Sequence, residues 1–275
     1  MTTNAGFAPI DRSSFRLAYI PLFHVSSFNL IRMKLKNYLT VLSVIICLGA
    51  VRSQASIILD TAGDIDPGIT TGGGTLDILS MEVSNSATDI VFTLTLNGNI
   101  STTDWGNFLI GISTGNTATT NTGNGWARPI QLNSPIGGMD YWIGSWVSAG
   151  GGSQLWDYDG ASWTGPLALS GFSFTSGTTS EIIYTASLAS LGLSAGDTIY
   201  FDAFTSGGGG GDSAVDALSN PNISITSWGQ TYTSSTIGSG GVGLSSYTLV
   251  PEPSSILLLG LSAILYGACR SRRRK

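Results

Sequence analysis

Short segments in which apolar and polar residues alternate recur along most of this 275-residue chain, separated by turn-forming glycine, asparagine and aspartate. The clearest segment, DIVFTLTLN, places Ile90, Phe92, Leu94 and Leu96 on one face of a strand. Nine further segments have the composition of strands: 75–83, 107–113, 140–148, 153–158, 171–175, 181–187, 198–205, 222–228 and 245–250. Because strands that recur about every 8–12 residues are typical of a β-sandwich, the sequence predicts an all-β fold, a single antiparallel β-sandwich over residues 56–249.

Residues 33–55 have the pattern of a secretory signal peptide. A lysine-containing start precedes the apolar run 39–51, and a small-x-small motif ends at Ala55. Signal peptidase is therefore expected to cut before Ser56, and a short transmembrane anchor is the alternative for this segment. Residues 1–32 add no pattern, so we expect them to be an over-extended start.

The last 26 residues, 250–275, combine three features in a fixed order. The triplet Pro251, Glu252, Pro253 comes first, an uncharged apolar run over 256–268 follows, and the chain ends in RSRRRK. A membrane-spanning helix needs about 20 residues, so this run predicts a helix that enters the membrane transiently, and residual anchoring in the inner membrane is the alternative. The basic end is expected to stay in the cytoplasm, which places the body of the chain outside.

This arrangement resembles the PEP-CTERM sorting domain of Gram-negative and related bacteria. The resemblance implies recognition by a membrane exosortase and processing near the triplet. It also implies a final location in the bacterial cell envelope or extracellular matrix, in an organism with exopolysaccharide and biofilm genes. The expected partners are signal peptidase and exosortase during export.

The charged residues of the body limit its chemistry. Between Ser56 and Leu249 a single cation, Arg128, stands against fifteen acidic residues, which gives a formal charge of −14. Such a domain repels phosphate backbones, so nucleic-acid binding is not expected. The same stretch has no lysine, histidine or cysteine, which excludes several kinds of nucleophilic catalysis and all disulfides. The sequence predicts a non-enzyme, and a glycan-acting enzyme with paired carboxylates is the alternative.

Tryptophan is dense in the middle of the body, and flat indoles suit the apolar faces of sugar rings. Alternation places Trp142 and Trp146 on one face of a strand, whereas Trp156 and Trp163 flank the polar segment DYDGAS. Burial of the whole group in the core is the alternative. The sequence predicts that an extracellular polysaccharide is bound by the following residues: Trp142, Trp146, Trp156, Tyr158, Trp163 and, for an acidic sugar, Arg128. The alternative for the arginine is a pair with an aspartate that holds a loop.

Aspartates cluster in three loop segments, and carboxylate oxygens on glycine-rich loops suit calcium. The segments are LDTAGDIDPG, WDYDG and GDSAVD, and none has the spacing of an EF-hand loop. The first predicts a calcium site formed by Asp60, Asp64 and Asp66. Aspartate as a turn former is the alternative in each segment. No other cofactor is predicted.

A second likeness concerns the order of segments in the body. WGNFLIGIST, MDYWIGSWV and LWDYDGASW, followed by SLASLGLSAGDTIYFDAFT, resemble a body type found ahead of PEP-CTERM tails. They are also similar to β-sandwiches related to family 9 carbohydrate-binding modules and DOMON domains. The body has no histidine, so the haem of some DOMON members is not expected. A purely structural or adhesive matrix protein is the alternative to a polysaccharide-binding one.

Overall fold

The computed structural model describes residues 55–71, 74–115, 117–235 and 243–251. Within these residues the regular elements are strands and three short 3-10 turns. The strands are β1 Ser56–Leu59, β2 Asp77–Asn85, β3 Asp89–Asn97, β4 Asn107–Ser113, β5 Ile130–Asn133, β6 Tyr141–Trp146, β7 Gly152–Tyr158, β8 Trp163–Leu167, β9 Gly171–Thr175, β10 Thr179–Ser187, β11 Thr198–Ser206, β12 Ala214–Ala217, β13 Tyr232–Ser235 and β14 Ser245–Thr248. The predicted all-β class is confirmed.

The first sheet is antiparallel and has the strand order β1-β2-β3-β10-β9. Its central strand β3 is the DIVFTLTLN segment, and Ile90, Phe92, Leu94 and Leu96 are all fully buried on one face. Tyr184 of β10 lies opposite Phe92 and is also fully buried. Alternation in the sequence therefore identified the core face of this sheet correctly.

The second sheet has the strand order β12-β11-β4-β6-β7-β8, and β14 pairs with the first part of β11. It packs face to face on the first sheet. Phe201 of β11 meets Phe92 edge to face, with 5.7 Å between the ring centroids. The hydroxyl groups of Ser145 and Tyr184 are 2.8 Å apart in the same interior. These contacts form the core of the predicted β-sandwich.

A third layer covers the outer face of the second sheet, and we call residues 117–139 and 219–235 the cover layer. It contains β5 and β13, which pair in parallel. Tyr232 of β13 packs edge to face on Phe204 of β11, with 6.0 Å between the centroids. Because of this layer, all seven residues of β4 are buried, although β-sandwich sheets usually expose one face to solvent.

Two differences from the sequence predictions have local causes. The predicted strand 222–228 forms bends instead, because Gln230 Oε1 accepts hydrogen bonds from the backbone N and the hydroxyl of Thr226 and closes a turn. Strands β1, β5, β8, β12 and β13 were missed, since segments of four or five residues carry too little alternation to be recognised.

The predicted signal peptide, except Ala55, and the predicted sorting helix lie outside the described residues. Within the described part of the chain, no helix is long and apolar enough to cross a membrane. Ser56 and Pro251, which adjoin the two predicted processing points, line one shared surface depression. The amide side chain of Asn85 holds the later segment there, since it bonds both the carbonyl and the N–H of Val250. The two ends of the described domain therefore meet on one side of it.

Candidate functional site

Aromatic side chains line the outer face of β6, β7 and β8 at the free edge of the second sheet. Trp156 pairs with Trp142 across β6 and β7, and Trp163 pairs with Tyr158 across β7 and β8. Residues that pair directly across strands point to the same face. We call the following half-buried residues the aromatic row: Trp126, Trp146, Trp156, Tyr158 and Trp163. The six residue steps of β7 give this row a length of about 20 Å.

Glycines let two of the indoles approach the backbone of the strands closely. A Cβ atom at Gly144 would lie 2.4 Å from Cε2 of Trp126, and a Cβ atom at Gly152 would lie 2.3 Å from Cζ2 of Trp146. Both distances are far shorter than any van der Waals contact, so only glycine permits these ring positions. The two rings are 6.3 Å apart and tilted by 38°. Close approach to the backbone leaves each ring little freedom to move.

One polar side chain fixes the orientation of the central indoles. Gln154 Oε1 accepts a hydrogen bond from Trp126 Nε1 at 2.8 Å and another from Trp156 Nε1 at 3.2 Å. The sequence interpretation missed both Gln154 and the role of Trp126 in this surface. The available signal was the alternation in β7, which places a glutamine two residues before a tryptophan on the same face.

Trp142 does not belong to the accessible aromatic surface, contrary to the sequence prediction. It is fully buried and stacks on Phe204, with 6.2 Å between the centroids and 24° between the ring planes. Alternation correctly assigned Trp142 and Trp146 to one face of β6. The cover layer buries Trp142 fully, and its residues Gly125 and Trp126 also contact Trp156 and Trp146, which stay half-buried.

Arg128 is also not accessible to a ligand, contrary to the sequence prediction, because it is only 5% exposed. Its Nη1 donates to the hydroxyl of Ser206 and to the carbonyl oxygens of Gly207 and Asp212. Its guanidinium carbon lies 5.4 Å from the centroid of the Trp126 ring. Burial lowers the pKa of this arginine, and nearby Asp212 partly offsets the effect. The side chain holds the glycine-rich loop by donating hydrogen bonds to its carbonyl oxygens. The alternative given for this arginine, a pair with an aspartate, had the right role but the wrong acceptor.

A second candidate site is formed by carboxylates from both sheets. Asp60 and Asp64 follow β1, and Asp216 lies on β12; one oxygen from each lies within 4.8 Å of the others. We call these three residues the carboxylate cluster. Asp66, the third residue of the predicted calcium site, lies outside the cluster, and its Oδ1 accepts a hydrogen bond from Gly68 N at 2.7 Å. The Asp66-Pro67-Gly68 turn therefore uses the aspartate as a turn former.

Burial dominates the electrostatics of the cluster. It raises the pKa of Asp60 to about 8 and that of Asp64 to about 6, and nearby carboxylates add to both shifts. The pKa of Asp216 is raised well above its usual range, first by burial and then by Asp60 and Asp64. Both Asp216 oxygens accept backbone hydrogen bonds, Oδ2 from Ile78 N at 2.6 Å and Oδ1 from Ala217 N at 2.7 Å.

One aspartate in each of the other two predicted segments acts as a turn former. Asp159 Oδ1 accepts hydrogen bonds from the backbone N of Ala161 and of Ser162, both at 2.8 Å. Asp212 Oδ2 accepts one from Gly209 N at 2.8 Å within the five-glycine loop. These bonds agree with the alternative that the sequence left open, in which aspartate closes loops.

The family model for the PEP-CTERM protein-sorting motif matches residues 249–274. The chain therefore carries this motif, which agrees with the resemblance found in its last residues. The motif makes the chain an exported, envelope-associated protein and an exosortase its processing partner. No curated protein and no solved structure matches the chain. The likeness of the body to family 9 carbohydrate-binding modules and DOMON domains stays a prediction.

Proposed function

We propose that this exosortase-sorted PEP-CTERM protein acts outside the cell as a non-catalytic domain that binds a neutral polysaccharide through its aromatic row. The observation that carries the proposal is the set of half-buried aromatic rings on one sheet face, with two indoles oriented by Gln154. Such a surface offers flat apolar area together with a few fixed polar groups, which is the usual composition of a ligand site.

Rigidity supports a binding role over a purely packing role for these rings. Trp126 and Trp146 lie against glycine backbone, and Trp163 packs on Tyr158 with 5.5 Å between the centroids. A ring whose position is already fixed loses little conformational entropy when a sugar stacks on it. A row of about 20 Å also suits a chain of several sugar units better than a single small molecule.

Charge favours a neutral polysaccharide over an acidic one. Arg128 is the only lysine or arginine between Ser56 and Leu249, and its guanidinium is buried and bonded to backbone carbonyls. The body therefore offers no exposed cation to pair with a uronate or sulfate group. Its net negative charge would repel a polyanion at long range.

The first prediction concerns binding by the aromatic row. We expect the purified full-length chain to be retained on at least one neutral polysaccharide of an immobilised panel that contains neutral and acidic exopolysaccharides. Trp163→Ala and Trp146→Ala should each weaken binding about tenfold or more, because a buried aromatic contact at an interface is typically worth about 2 kcal/mol. Affinity electrophoresis and tryptophan fluorescence give the two readouts.

Trp105→Ala is the matched control, because Trp105 is 42% exposed and lies outside the row, against Trp228. It should bind like the unchanged chain. Failure of the unchanged chain to bind any member of the panel would refute the proposal and favour a structural or adhesive matrix role. Equal losses of affinity in Trp105→Ala and Trp163→Ala would show that the binding is non-specific.

A glycan-acting enzyme that uses the two glutamates of the body is supported less well by their positions. Glu82 and Glu181, the two glutamates of the body, are exposed on the outer face of the first sheet and flank β3. General acid catalysis in glycosidases relies on a carboxyl group in a desolvated setting. Exposed strand positions do not provide that setting.

The second prediction concerns sorting. In the native host, the mature protein should begin near Ser56 and end near Pro251, because the motif match starts at residue 249. Replacing Pro251, Glu252 and Pro253 with alanine should abolish the second cut and leave the basic tail attached. Mass spectrometry of the intact protein measures both ends. Alanine at the next two serines, 254 and 255, is the control that should be cut normally; Lys275 retained in the unchanged protein would contradict the prediction.

A further inference from the structure

We propose that Asp60, Asp64 and Asp216 form a calcium site that links the two sheets of the domain. Asp60 and Asp64 belong to the segment that leaves β1 at the edge of the first sheet. Asp216 belongs to β12 at the edge of the second sheet. A shared ion would therefore join parts of the chain that are more than 150 residues apart in the sequence.

The spacing of the oxygens fits a calcium ion. Calcium binds oxygen ligands at about 2.3–2.6 Å, so two ligands on opposite sides of one ion are about 5 Å apart. The three carboxylates of the cluster offer oxygens that are all within 4.8 Å of one another. One ion at their centre can thus reach all three, and water can complete the six to eight ligands that calcium takes.

The burial of unpaired oxygens is an independent reason to expect a ligand. Asp60 Oδ2 and both carboxylate oxygens of Asp64 are shielded from solvent and accept no hydrogen bond from any other described residue. Leaving a buried polar atom unpaired is costly, and for a carboxylate the cost is larger still. Loop aspartates that act only as turn formers, such as Asp66, do not show this feature.

Among the residues that the structure describes, no protein cation is available to neutralise the cluster. The only arginine of the body donates to Ser206, Gly207 and Asp212 instead. Asp77 adds a further carboxylate nearby, although its oxygens accept hydrogen bonds from Gly63 N and Asn97 Nδ2. Apart from protonation of the carboxyl groups, a divalent cation is the way that the described residues leave to balance negative charge at this point.

The ligand set favours calcium over other metals. All donors are carboxylate oxygens, whereas zinc and the later transition metals prefer imidazole or thiolate, which the body lacks. Calcium tolerates the irregular geometry of ligands drawn from a loop and a strand, while magnesium requires a near-octahedral set. The exported location also exposes the domain to extracellular calcium, for which sites of about 10⁻⁴–10⁻³ M dissociation constant are usual.

The test uses the full-length chain after treatment with EDTA. Adding CaCl₂ to 10 mM should raise Tm by about 5–10 °C, because an ion that binds only the folded state at about 100 times its dissociation constant stabilises that state. Isothermal titration calorimetry should give one calcium ion per chain. Asp64→Asn should lose both signals and should keep or raise Tm without calcium, because it removes one of three mutually repelling charges.

Asp66→Asn is the matched control, since it lies two residues away in the same loop and outside the cluster. It should keep the calcium response of the unchanged chain. The proposal is overturned if the unchanged chain shows neither heat nor a Tm shift, or if Asp64→Asn responds like Asp66→Asn. It is also overturned if MgCl₂, or NaCl at equal ionic strength, reproduces the full shift, because screening of the acidic surface then explains it.

Discussion

Trp142→Ala is expected to lower the free energy of unfolding by about 3–5 kcal/mol, the range for a buried tryptophan cut back to alanine. Trp142 is fully buried between the second sheet and the cover layer, where it stacks on Phe204. Removing the indole leaves a large cavity that the paired strands β6 and β7 cannot close. A loss of this size is a large share of the roughly 5–15 kcal/mol that holds a typical domain folded.

Two companion variants make this prediction specific. Trp142 Nε1 is buried and donates to no acceptor among the described residues, so Trp142→Phe removes an unpaired donor and should cost much less than alanine. Trp163→Ala, at a half-buried edge position, should also cost less. Urea unfolding followed by circular dichroism measures all three. A Trp142→Ala loss below about 1 kcal/mol would contradict burial of this side chain.

Asp202→Asn is expected to remove about 3 kcal/mol of the pH dependence of stability between pH 4 and pH 7. Asp202 is fully buried, and burial raises its pKa from 3.8 to about 6 against the opposing effect of hydrogen bonds from Ser219 and Ser234. Between these values the folded chain holds a proton that the unfolded chain has released. The free energy of unfolding therefore falls as the pH rises through this window and stays lower above about pH 6.

Asparagine can keep the hydrogen bonds of the site. Asp202 Oδ1 accepts from Ala203 N at 2.9 Å and from Ser219 N at 3.0 Å, and an amide oxygen can take its place. The amide nitrogen would then face the hydroxyls of Ser219 and Ser234, which can rotate to accept. Relative to the unchanged chain, the variant should therefore gain stability as the pH rises from 4 to 7.

The measurement compares urea unfolding of both proteins at several pH values in the presence of EDTA, so that metal binding does not vary. Buried carboxylates that the charge of Asp202 does not affect contribute the same slope to both proteins and cancel in the difference. Asp60 does not cancel fully, because the charge of Asp202 is one of the smaller causes that raise its pKa. Tyr232, which the charge of Asp202 also affects, does not titrate here, because its pKa is raised above the usual value of 10. Parallel stability curves for the two proteins would show that Asp202 is ionised throughout.

The aromatic row shows where alternation stops being informative. Period-two spacing correctly placed Trp142 and Trp146 on one face of β6, since that relation depends only on the pleat of a single strand. Which end of that face is covered depends on the cover layer, residues 117–139 and 219–235. These residues pack on the sheet, but their sequence shows only weak strand patterns. The local pattern could therefore not predict that Trp142 is fully buried while Trp146 is only half-buried.

The carboxylate cluster shows the same limit over a longer distance. Sequence proximity grouped Asp60 and Asp64 with Asp66, yet a proline-glycine turn directs Asp66 to its own loop. Asp216 replaces it because β12 pairs along β11 and reaches β2 through the hydrogen bond to Ile78 N. Asp216 is more than 150 residues away from Asp60 and Asp64, so the local spacing of aspartates could not predict that it joins them.

The sequence by itself determined the all-β class, the buried face of β3 and the export and sorting of the chain, because these depend on short-range periodicity and on linear signals that processing enzymes read. Only the tertiary structure decided which tryptophans remain accessible, why Arg128 is unavailable to a ligand and which aspartates converge. Those outcomes depend on contacts between segments far apart in the chain, where burial sets both the exposure of an indole and the charge that a carboxyl group can carry.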